Sequence, residues 1–416
     1  MRRVLLPVAT IAFVVATALP SAAAPGDLDT EFDDNGMLTV GFGSAAEGLE
    51  VLNGGTILMG GTVGNDLAFV SLNGNGSATP GFGSDGVVTL DLGGADRGYG
   101  LAVDDDGALV VAGWTNAGGQ IDTAVGKVDE DGSPNAAFDG DGSRAFDLGN
   151  GKDDRAYDVD VTSTGKIVVG GYVKVSGERR FLVARLRANG TRDTSFGGGD
   201  GVAKVRIGSR AEVRDVLVLP NDAILVAGVA KVGGHGNDYA VARFRTNGTL
   251  DPGFSGDGKL LVGDTTPETA QTLELLPDGR FAVAGSRGRD IYVRWFTGSG
   301  IISESMGVNG YARISYGSEA RAYDLLPGTN GRLYVVGSGI GAEHNVLVAR
   351  LDGQGALDDA WAGDGTAAVD FFGAETGAAA AFTPAGRLLV AGQTDGFDPD
   401  PGRGVSGSML LVRLLA

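Results

Sequence analysis

Short apolar runs of Val, Leu, Ile and aromatic residues recur along the whole chain, and each run is bounded by Gly, Asn or Asp. Runs of this length between turn-forming residues predict β-strands. We find no amphipathic helical spacing after the first two dozen residues. The pattern therefore predicts an all-β fold. One stretch shows the typical order of strands: RAYDVDV (155–161), KIVVGG (166–171), FLVARL (181–186) and GVAKVRI (201–207).

A turn with a fixed design divides these strands into repeats. A large apolar residue is followed, three or four positions later, by Asn or Asp and then Gly, a pair that favours hairpin turns. Successive copies lie 50 to 58 residues apart. The apolar anchors are Phe32, Phe82, Phe138, Phe196, Phe254, Met306 and Trp361. Seven four-stranded repeats predict a seven-bladed β-propeller, because radial stacking buries both faces of each sheet.

The two ends of the chain predict how the ring closes. Residues 36–40 (GMLTV) match the fourth strand of the other repeats, whereas the last repeat stops after its third strand, MLLVRLL (409–415). Pairing these two strands completes the last blade and removes an exposed sheet edge. We therefore expect one propeller domain over residues 26–416.

The repeats resemble a known family. The corner LDPGFSGDG (250–258), with LLPDGRFAVAG (275–285) and YAVARF (239–244), is similar to the delta-60 repeat of bacterial secreted proteins. The resemblance covers roughly residues 26–416. It implies a β-propeller and a secreted location, and it brings no catalytic residues.

The N-terminal sequence predicts where the protein is located, and the composition excludes some classes of partner. Residues 1–24 have a basic start, an apolar stretch and small residues (SAAAP, 21–25), which predict a signal peptide cleaved near Ala23 or Ala24. We expect a secreted monomer, periplasmic or extracellular, without a membrane anchor. The chain has no Cys, and its net charge of −19 argues against nucleic acid as a partner.

Two columns of charged residues recur with the repeat. The third strands carry Lys or Arg, and the corners carry Asp. We interpret the two columns as a clamp, in which each basic side chain pairs with a carboxylate within or between blades. The basic members are Lys127, Arg185, Arg243, Arg350 and Arg413, and the acidic members are Asp29, Asp193, Asp251 and Asp358.

A third column predicts a candidate metal site. Aligned positions of the first strand, which lies nearest the axis in propellers, include Glu50, Asp158, Asp215 and Asp324. Carboxylates that face one channel repel each other unless they are solvated or bridged, and Ca²⁺ accepts such oxygen ligands. Alternatively, these carboxylates bind backbone N–H groups of their own blade or face water in the channel.

The loop between the second and third strands varies most in length, and variable loops on a rigid scaffold often bind ligands. Candidate ligand-binding residues on that face are Trp114, Tyr172, His235, Arg287, Arg289, His344 and Asp398. The chain has no motif of a catalytic nucleophile, a zinc protease or a phosphate-binding loop. We expect a binding or scaffold module for an extracellular glycan or protein. The alternative is a metal-assisted hydrolase or lactonase-type propeller enzyme with a cation in the central channel.

Overall fold

Strand pairing sorts the chain into seven antiparallel sheets of four strands each. The computed structural model describes residues 23–41, 44–233, 236–263, 266–341, 343–371, 373–394 and 407–416. The inner strands of successive blades contact one another around the ring, including those of the first and last blades. The sheets therefore form a seven-bladed β-propeller, which confirms the predicted fold. The predicted signal segment lies almost entirely outside the described residues.

Each blade consists of an inner, a second, a third and an outer strand. Blade 1 contains β2 (Ser44–Val51), β3 (Ile57–Val63), β4 (Asp66–Leu72) and β5 (Val87–Leu90). Blade 2 contains β6 (Asp96–Val103), β7 (Leu109–Thr115), β8 (Asp122–Val128) and β9 (Ser143–Phe146). Blade 3 contains β10 (Asp154–Val161), β11 (Ile167–Val175), β12 (Glu178–Leu186) and β13 (Val202–Val205). Blade 4 contains β14 (Arg210–Val218), β15 (Ile224–Lys231), β16 (Asn237–Phe244) and β17 (Lys259–Val262).

The remaining blades follow the same order. Blade 5 contains β18 (Glu268–Leu275), β19 (Phe281–Arg287), β20 (Asp290–Phe296) and β21 (Tyr311–Ile314). Blade 6 contains β22 (Glu319–Pro327), β23 (Leu333–Ile340), β24 (His344–Leu351) and β25 (Thr366–Val369). Blade 7 contains β26 (Thr376–Phe382), β27 (Arg387–Gln393), β28 (Met409–Leu415) and β1 (Met37–Val40). Within the described residues, the only helical element is a 3₁₀ turn (Thr329–Gly331), and no helix could span a membrane.

The N-terminal strand closes the ring as predicted. β1 pairs antiparallel with β28, with Met37 opposite Val412, and so supplies the outer strand of blade 7. The backbone N–H of Gly26 also donates to the carbonyl oxygen of Leu415 at 2.7 Å. The first and last segments of the propeller are therefore held in one sheet, and the β28 edge is covered.

The corner anchors and the clamp column join neighbouring blades. All seven apolar anchors are buried in the cores between sheets. The Arg185 guanidinium pairs with Asp193 at 2.9 Å, lies 4.6 Å from the Phe196 ring centre and donates to the carbonyl of Thr246 in the next blade. Equivalent ion pairs recur in other blades: Arg243 with Asp251, Arg350 with Asp358, and Arg413 with Asp29. The clamp interpretation is thus confirmed.

Blade 2 departs from this clamp. Asn135 occupies the position of Asp193, and Lys127 instead pairs with Asp104 at 2.7 Å. The basic side chain keeps a carboxylate partner, but the partner comes from the turn after the inner strand.

A β-bulge in each inner strand depends on a glycine in the second strand. The pairing of inner and second strands skips one inner residue in every blade; in blade 3 it skips Tyr157, between Ala156 and Asp158. A Cβ at Gly171, beside this bulge, would lie 1.8 Å from the carbonyl oxygen of Arg155. A glycine occupies the same place in all blades, where a Cβ would lie 1.6 to 2.0 Å from a carbonyl oxygen of the inner strand: Gly61, Gly113, Gly171, Gly228, Gly285, Gly337 and Gly392. The bulge therefore requires a residue without a side chain at this position of the second strand.

We predict that Gly171→Ala destabilises the fold by about 1–3 kcal/mol or more, because the methyl group overlaps backbone that cannot move independently. Gly54→Ala is the matched control, since a Cβ there meets nothing within 4 Å. The control is expected to change stability by no more than about 0.5 kcal/mol. Chemical denaturation of both variants measures the difference. Equal midpoints would show that the close approach is not a constraint.

Candidate functional site in the central channel

The bulges turn two consecutive residues of each inner strand toward the axis. The resulting channel holds a cavity of about 520 Å³, lined mainly by inner-strand residues of blades 1 to 7. The skipped residue of every bulge lines this cavity, and so does the residue after it in every blade except blade 5. The channel thus carries two adjacent rings of side chains where a regular strand would supply one.

The skipped residues form the ring nearer the loops that enter the inner strands. We call this set the bulge ring: Glu47, Tyr99, Tyr157, Arg214, Gln271, Tyr323 and Ala378. The Tyr99 and Tyr157 rings meet edge to face, with centres 5.3 Å apart. The Arg214 guanidinium lies 4.4 Å from the Tyr157 ring centre and 3.0 Å from a carboxylate oxygen of Glu212. The ring therefore combines aromatic surface with polar groups, and its one arginine shares the Glu212 carboxylate with Arg179 and Arg210.

The next ring contains three of the predicted carboxylates, and each joins its inner strand to the following blade. Asp158 accepts a hydrogen bond from the backbone N–H of Val216 at 2.8 Å. In the same way, Asp215 accepts from Leu273 at 2.6 Å. The third contact is that of Asp324, which accepts from the N–H of Ala380 at 2.6 Å. These carboxylates thus bind backbone N–H groups, as one of the two interpretations expected, but the groups belong to the neighbouring blade.

Glu50 does not belong to this ring, so its alignment with Asp158 was wrong. The register places Gly48 opposite the second strand where Asp158 lies in blade 3, because the bulge in blade 1 comes between Ala46 and Gly48. Glu50 lies two residues further along the inner strand, at the same position as Asp160 and Glu274. The channel therefore carries a second group of carboxylates below the first.

Burial and mutual repulsion raise the pKa values of the channel carboxylates. Burial, followed by the charges of Asp324, Asp215, Asp160 and Glu50, raises the pKa of Glu274 to about 8. Burial, with smaller contributions from Asp215 and Glu50, raises the pKa of Asp324 to about 8 against the opposing hydrogen bond from Ala380. The carboxylates therefore act as one electrostatic group.

Five other carboxyl groups that line or adjoin the channel also have raised pKa values. Burial raises the pKa of Glu50 and of Glu47 to about 7, and that of Asp160 to about 6. Asp158 and Asp215 hydrogen-bond to each other through their side chains, and burial also raises both of their pKa values. Such a pair holds one proton between two carboxyl groups. The channel consequently retains protons near neutral pH.

The geometry of the channel fits a bound cation only in part. Carboxylate oxygens are suitable ligands for Ca²⁺. However, Asp158, Asp215 and Asp324 each use one oxygen for the neighbouring blade. Among the described residues, two other clusters bring three carboxylates within 4.8 Å of one another: Asp66 with Asp91 and Asp96, and Asp122 with Asp147 and Asp154. Neither cluster lies in the channel.

The two aromatic residues predicted for the loop face are buried, so their expected exposure was wrong. Trp114 is 6% exposed and Tyr172 is 1% exposed, because the guanidinium of Arg155 covers both rings at 5.0 and 5.9 Å. Trp114 nevertheless donates through its indole N–H to the hydroxyl of Tyr99 at 3.3 Å. Both residues therefore support the tyrosines of the bulge ring from behind.

Three of the other predicted loop-face residues lie on the adjacent blades 5 and 6. Arg287 pairs with the buried carboxylate of Glu268 at 3.2 Å, whereas Arg289 and His344 are exposed on blades 5 and 6. His235 and Asp398 lie outside the described residues.

Sequence reasoning missed the bulge ring as a set. In every repeat, its member directly precedes the position equivalent to Asp158. The set Glu, Tyr, Tyr, Arg, Gln, Tyr and Ala was therefore visible once the repeats were aligned. Regular strand alternation, however, assigns that position to the opposite face of the sheet. Only the bulge turns it toward the channel.

The fold and the channel define the class of protein: a seven-bladed propeller with an acidic axial cavity. Three segments match the family described as "Domain of unknown function (DUF5122) beta-propeller": residues 105–138, 162–196 and 219–254. Each segment ends at a corner anchor of blade 2, 3 or 4. The match supports a propeller repeat family. No curated protein matches the chain.

Solved structures support the fold alone. A polysaccharide lyase, Uly1, is 10% identical, with a TM-score of 0.50 over 89% of this chain and 90% of its own. The periplasmic gluconolactonase of Pseudomonas aeruginosa is 14% identical, with a TM-score of 0.47 over 89% and 98%. The aldose sugar dehydrogenase of Streptomyces coelicolor is 16% identical, with a TM-score of 0.43 over 76% and 94%. These distant proteins have different activities, so none indicates the activity of this chain.

We predict that the folded protein is more stable at pH 5 than at pH 8 when metal ions are chelated. The folded channel holds protons that the unfolded chain releases above about pH 4.5, so stability falls as pH rises toward 8. Each such proton contributes up to about 1.4 kcal/mol per pH unit. Melting temperatures at the two pH values test the direction.

The variant Glu274→Gln tests whether the channel carboxylates, and not other groups of the molecule, cause this pH dependence of stability. This variant is expected to melt higher than the parent at pH 8 and nearly alike at pH 5, because it removes one carboxylate with a raised pKa. Glu304→Gln is the control, since Glu304 is exposed on a corner. If both variants behave alike at pH 8, the channel carboxylates do not govern the pH dependence.

Proposed function

We propose that the protein is a secreted binding module that takes a neutral glycan at the bulge-ring end of the channel. The observation that carries the proposal is the bulge ring itself, in which Tyr99, Tyr157 and Tyr323 line an open cavity together with Gln271 and Arg214. Tyrosine rings offer flat apolar surface with a polar edge, and amide and carboxyl groups accept and donate hydrogen bonds to hydroxyl groups. Polyhydroxylated ligands require this combination.

The charge of the channel supports a neutral ligand. The cavity lining includes the carboxyl groups of Glu50, Asp158, Asp215, Glu274 and Asp324 but only one arginine, Arg214. An anionic ligand entering the channel meets several carboxyl groups and a single arginine, so repulsion outweighs attraction where these carboxyl groups are ionised. A neutral sugar avoids this cost and gains acceptors for its hydroxyl groups.

The buried residues behind the bulge ring support a preformed site. Trp114 holds the hydroxyl of Tyr99, and Tyr172 packs 6.1 Å from the ring of Tyr157. Fixed side chains lose less entropy when a ligand binds. Trp114 and Tyr172 are thus positioning residues in this proposal.

We predict that Tyr157→Ala and Tyr323→Ala each weaken glycan binding by about tenfold or more, which corresponds to about 1.4 kcal/mol. An array of neutral oligosaccharides identifies the ligand, and calorimetry on the purified mature protein measures the affinities. Tyr311→Ala is the control, because Tyr311 stacks on Tyr292 in the outer part of blade 5. It should bind like the parent.

Three outcomes would contradict this proposal. Unchanged affinity in both channel variants would move the site away from the bulge ring. Equal binding of uronic-acid oligosaccharides would show that the channel charge does not select the ligand. Binding of a polyamine in preference to all sugars would change the ligand class to cations.

A metal-assisted hydrolase or lactonase-type enzyme is the second candidate function. The observation that favours it is the side-chain contact between Asp158 and Asp215, where a bound cation could replace the shared proton. Bound Ca²⁺ would polarise a substrate carbonyl. Asp158, Asp215 and Asp324 are the residues that could hold it.

If this second candidate is correct, the protein hydrolyses a simple lactone only when Ca²⁺ is present. Asp158→Asn combined with Asp215→Asn should then abolish both the hydrolysis and any stabilisation by Ca²⁺, because the variant removes two charged ligands. Lactone hydrolysis with and without chelator measures the first effect, and melting curves measure the second. Absence of calcium-dependent hydrolysis in the parent would leave the binding module as the function.

A further inference from the structure

Two groups of three aspartates lie on the loop side of the ring at equivalent positions of neighbouring blades. In each group the first residue begins a third strand, the second follows an outer strand, and the third begins the next inner strand. One oxygen from each carboxylate lies within 4.8 Å of the others. The first group is Asp66, Asp91 and Asp96, between blades 1 and 2; the second is Asp122, Asp147 and Asp154, between blades 2 and 3.

The buried carboxylate of the second group is fully bonded within the protein. One oxygen of Asp154 accepts from the N–H and the hydroxyl of Thr123, at 2.9 and 2.7 Å. The other oxygen accepts from the N–H groups of Leu148 and Gly149, each at 2.9 Å. Asp154 is therefore a structural joint between blades 2 and 3, and it needs no ion.

The buried carboxylate of the first group lacks these partners. Asp96 is 2% exposed, and its Oδ2 accepts from the N–H of Leu92 at 2.6 Å. Its Oδ1 is buried without a hydrogen-bond partner. Leu67 occupies the position of Thr123 and gives no hydroxyl, so the side-chain hydrogen bond to Asp96 comes from Thr115 of its own blade. A buried carboxylate oxygen without a partner is costly unless a ligand satisfies it.

The neighbouring charges increase this cost. Burial and the charges of Asp91 and Asp96 raise the pKa of Asp66, and burial raises the pKa of Asp96. No Lys, Arg or His forms an ion pair with these three aspartates among the described residues. Three carboxylates that face one another without a cation indicate a missing positive charge.

We propose that Asp66, Asp91 and Asp96 bind a calcium ion that joins blades 1 and 2. Oxygen ligands alone favour hard cations over zinc or copper. Ca²⁺ accepts six to eight oxygens in flexible geometry, whereas Mg²⁺ requires a nearly ideal octahedron. Asp91 is exposed, so solvent can complete the coordination. The ion would stabilise Asp96 in the way that the hydrogen bonds from Thr123 stabilise Asp154 in the next blade.

Calorimetric titration of the calcium-free mature protein with CaCl₂ tests this site. Asp91→Asn is expected to weaken Ca²⁺ binding on the order of tenfold or more, since it removes one charged ligand. The Asp91 side chain also accepts from the N–H of Gly93, a bond that asparagine can keep, so the fold should be retained. Asp66→Asn is a second variant with the same expected loss.

Asp147→Asn is the matched control, because Asp147 has the same position in the second group. It should bind Ca²⁺ like the parent. The double variant Asp158→Asn and Asp215→Asn should also keep this binding, which separates the site from the channel. The proposal is overturned if the parent binds no Ca²⁺ at millimolar concentration, if both variants of the first group retain the parent affinity, or if Asp147→Asn causes the same loss.

Discussion

The absence of a side chain at one position of each second strand is the constraint on which the channel depends. A methyl group at any of these seven glycines would overlap a carbonyl oxygen of the inner strand. The glycine admits the bulge, and the bulge turns one extra residue toward the axis. Without it, inner strands would alternate regularly, and the channel would lose the ring that contains Tyr99, Tyr157 and Tyr323. The backbone requirement and the candidate binding surface therefore have one origin.

The channel carboxylates serve two purposes that oppose each other energetically. Three of them, Asp158, Asp215 and Asp324, each join their own inner strand to the following blade by accepting a hydrogen bond from a backbone N–H group. The same arrangement concentrates negative charge in a narrow space, and protons must be retained to reduce the repulsion. The backbone N–H groups favour the ionised carboxylates, whereas burial and mutual repulsion favour the protonated ones. Placement of such joints at the axis means that the acidic field is a consequence of how the blades are held together.

Much of the fold could be predicted from the sequence because its signals are local and repeated. The spacing of Phe138, Phe196 and Phe254 indicated the blades, and residues 36–40 indicated the closure. The site was harder, because a bulge shifts the register by one residue without a marker of its own. Glu50 was aligned with Asp158, although it lies two residues further along the inner strand. Trp114 and Tyr172 are covered by Arg155, which lies directly opposite Tyr172 in blade 3 and reaches Trp114 across the interface with blade 2. Their exposure could therefore not be derived from loop length.

The bulge ring also explains how a sevenfold scaffold can recognise an asymmetric ligand. The bulge ring carries five residue types in seven blades, so it does not have the symmetry of the scaffold. Tyr99 and Tyr157 lie side by side in blades 2 and 3, and Tyr323 lies across the channel in blade 6. Glu47 and Gln271 separate these two aromatic surfaces. A ligand that contacts both surfaces has one preferred orientation, because no rotation by one blade reproduces the same set of contacts. Specificity can therefore change at these positions while the joints between blades stay the same.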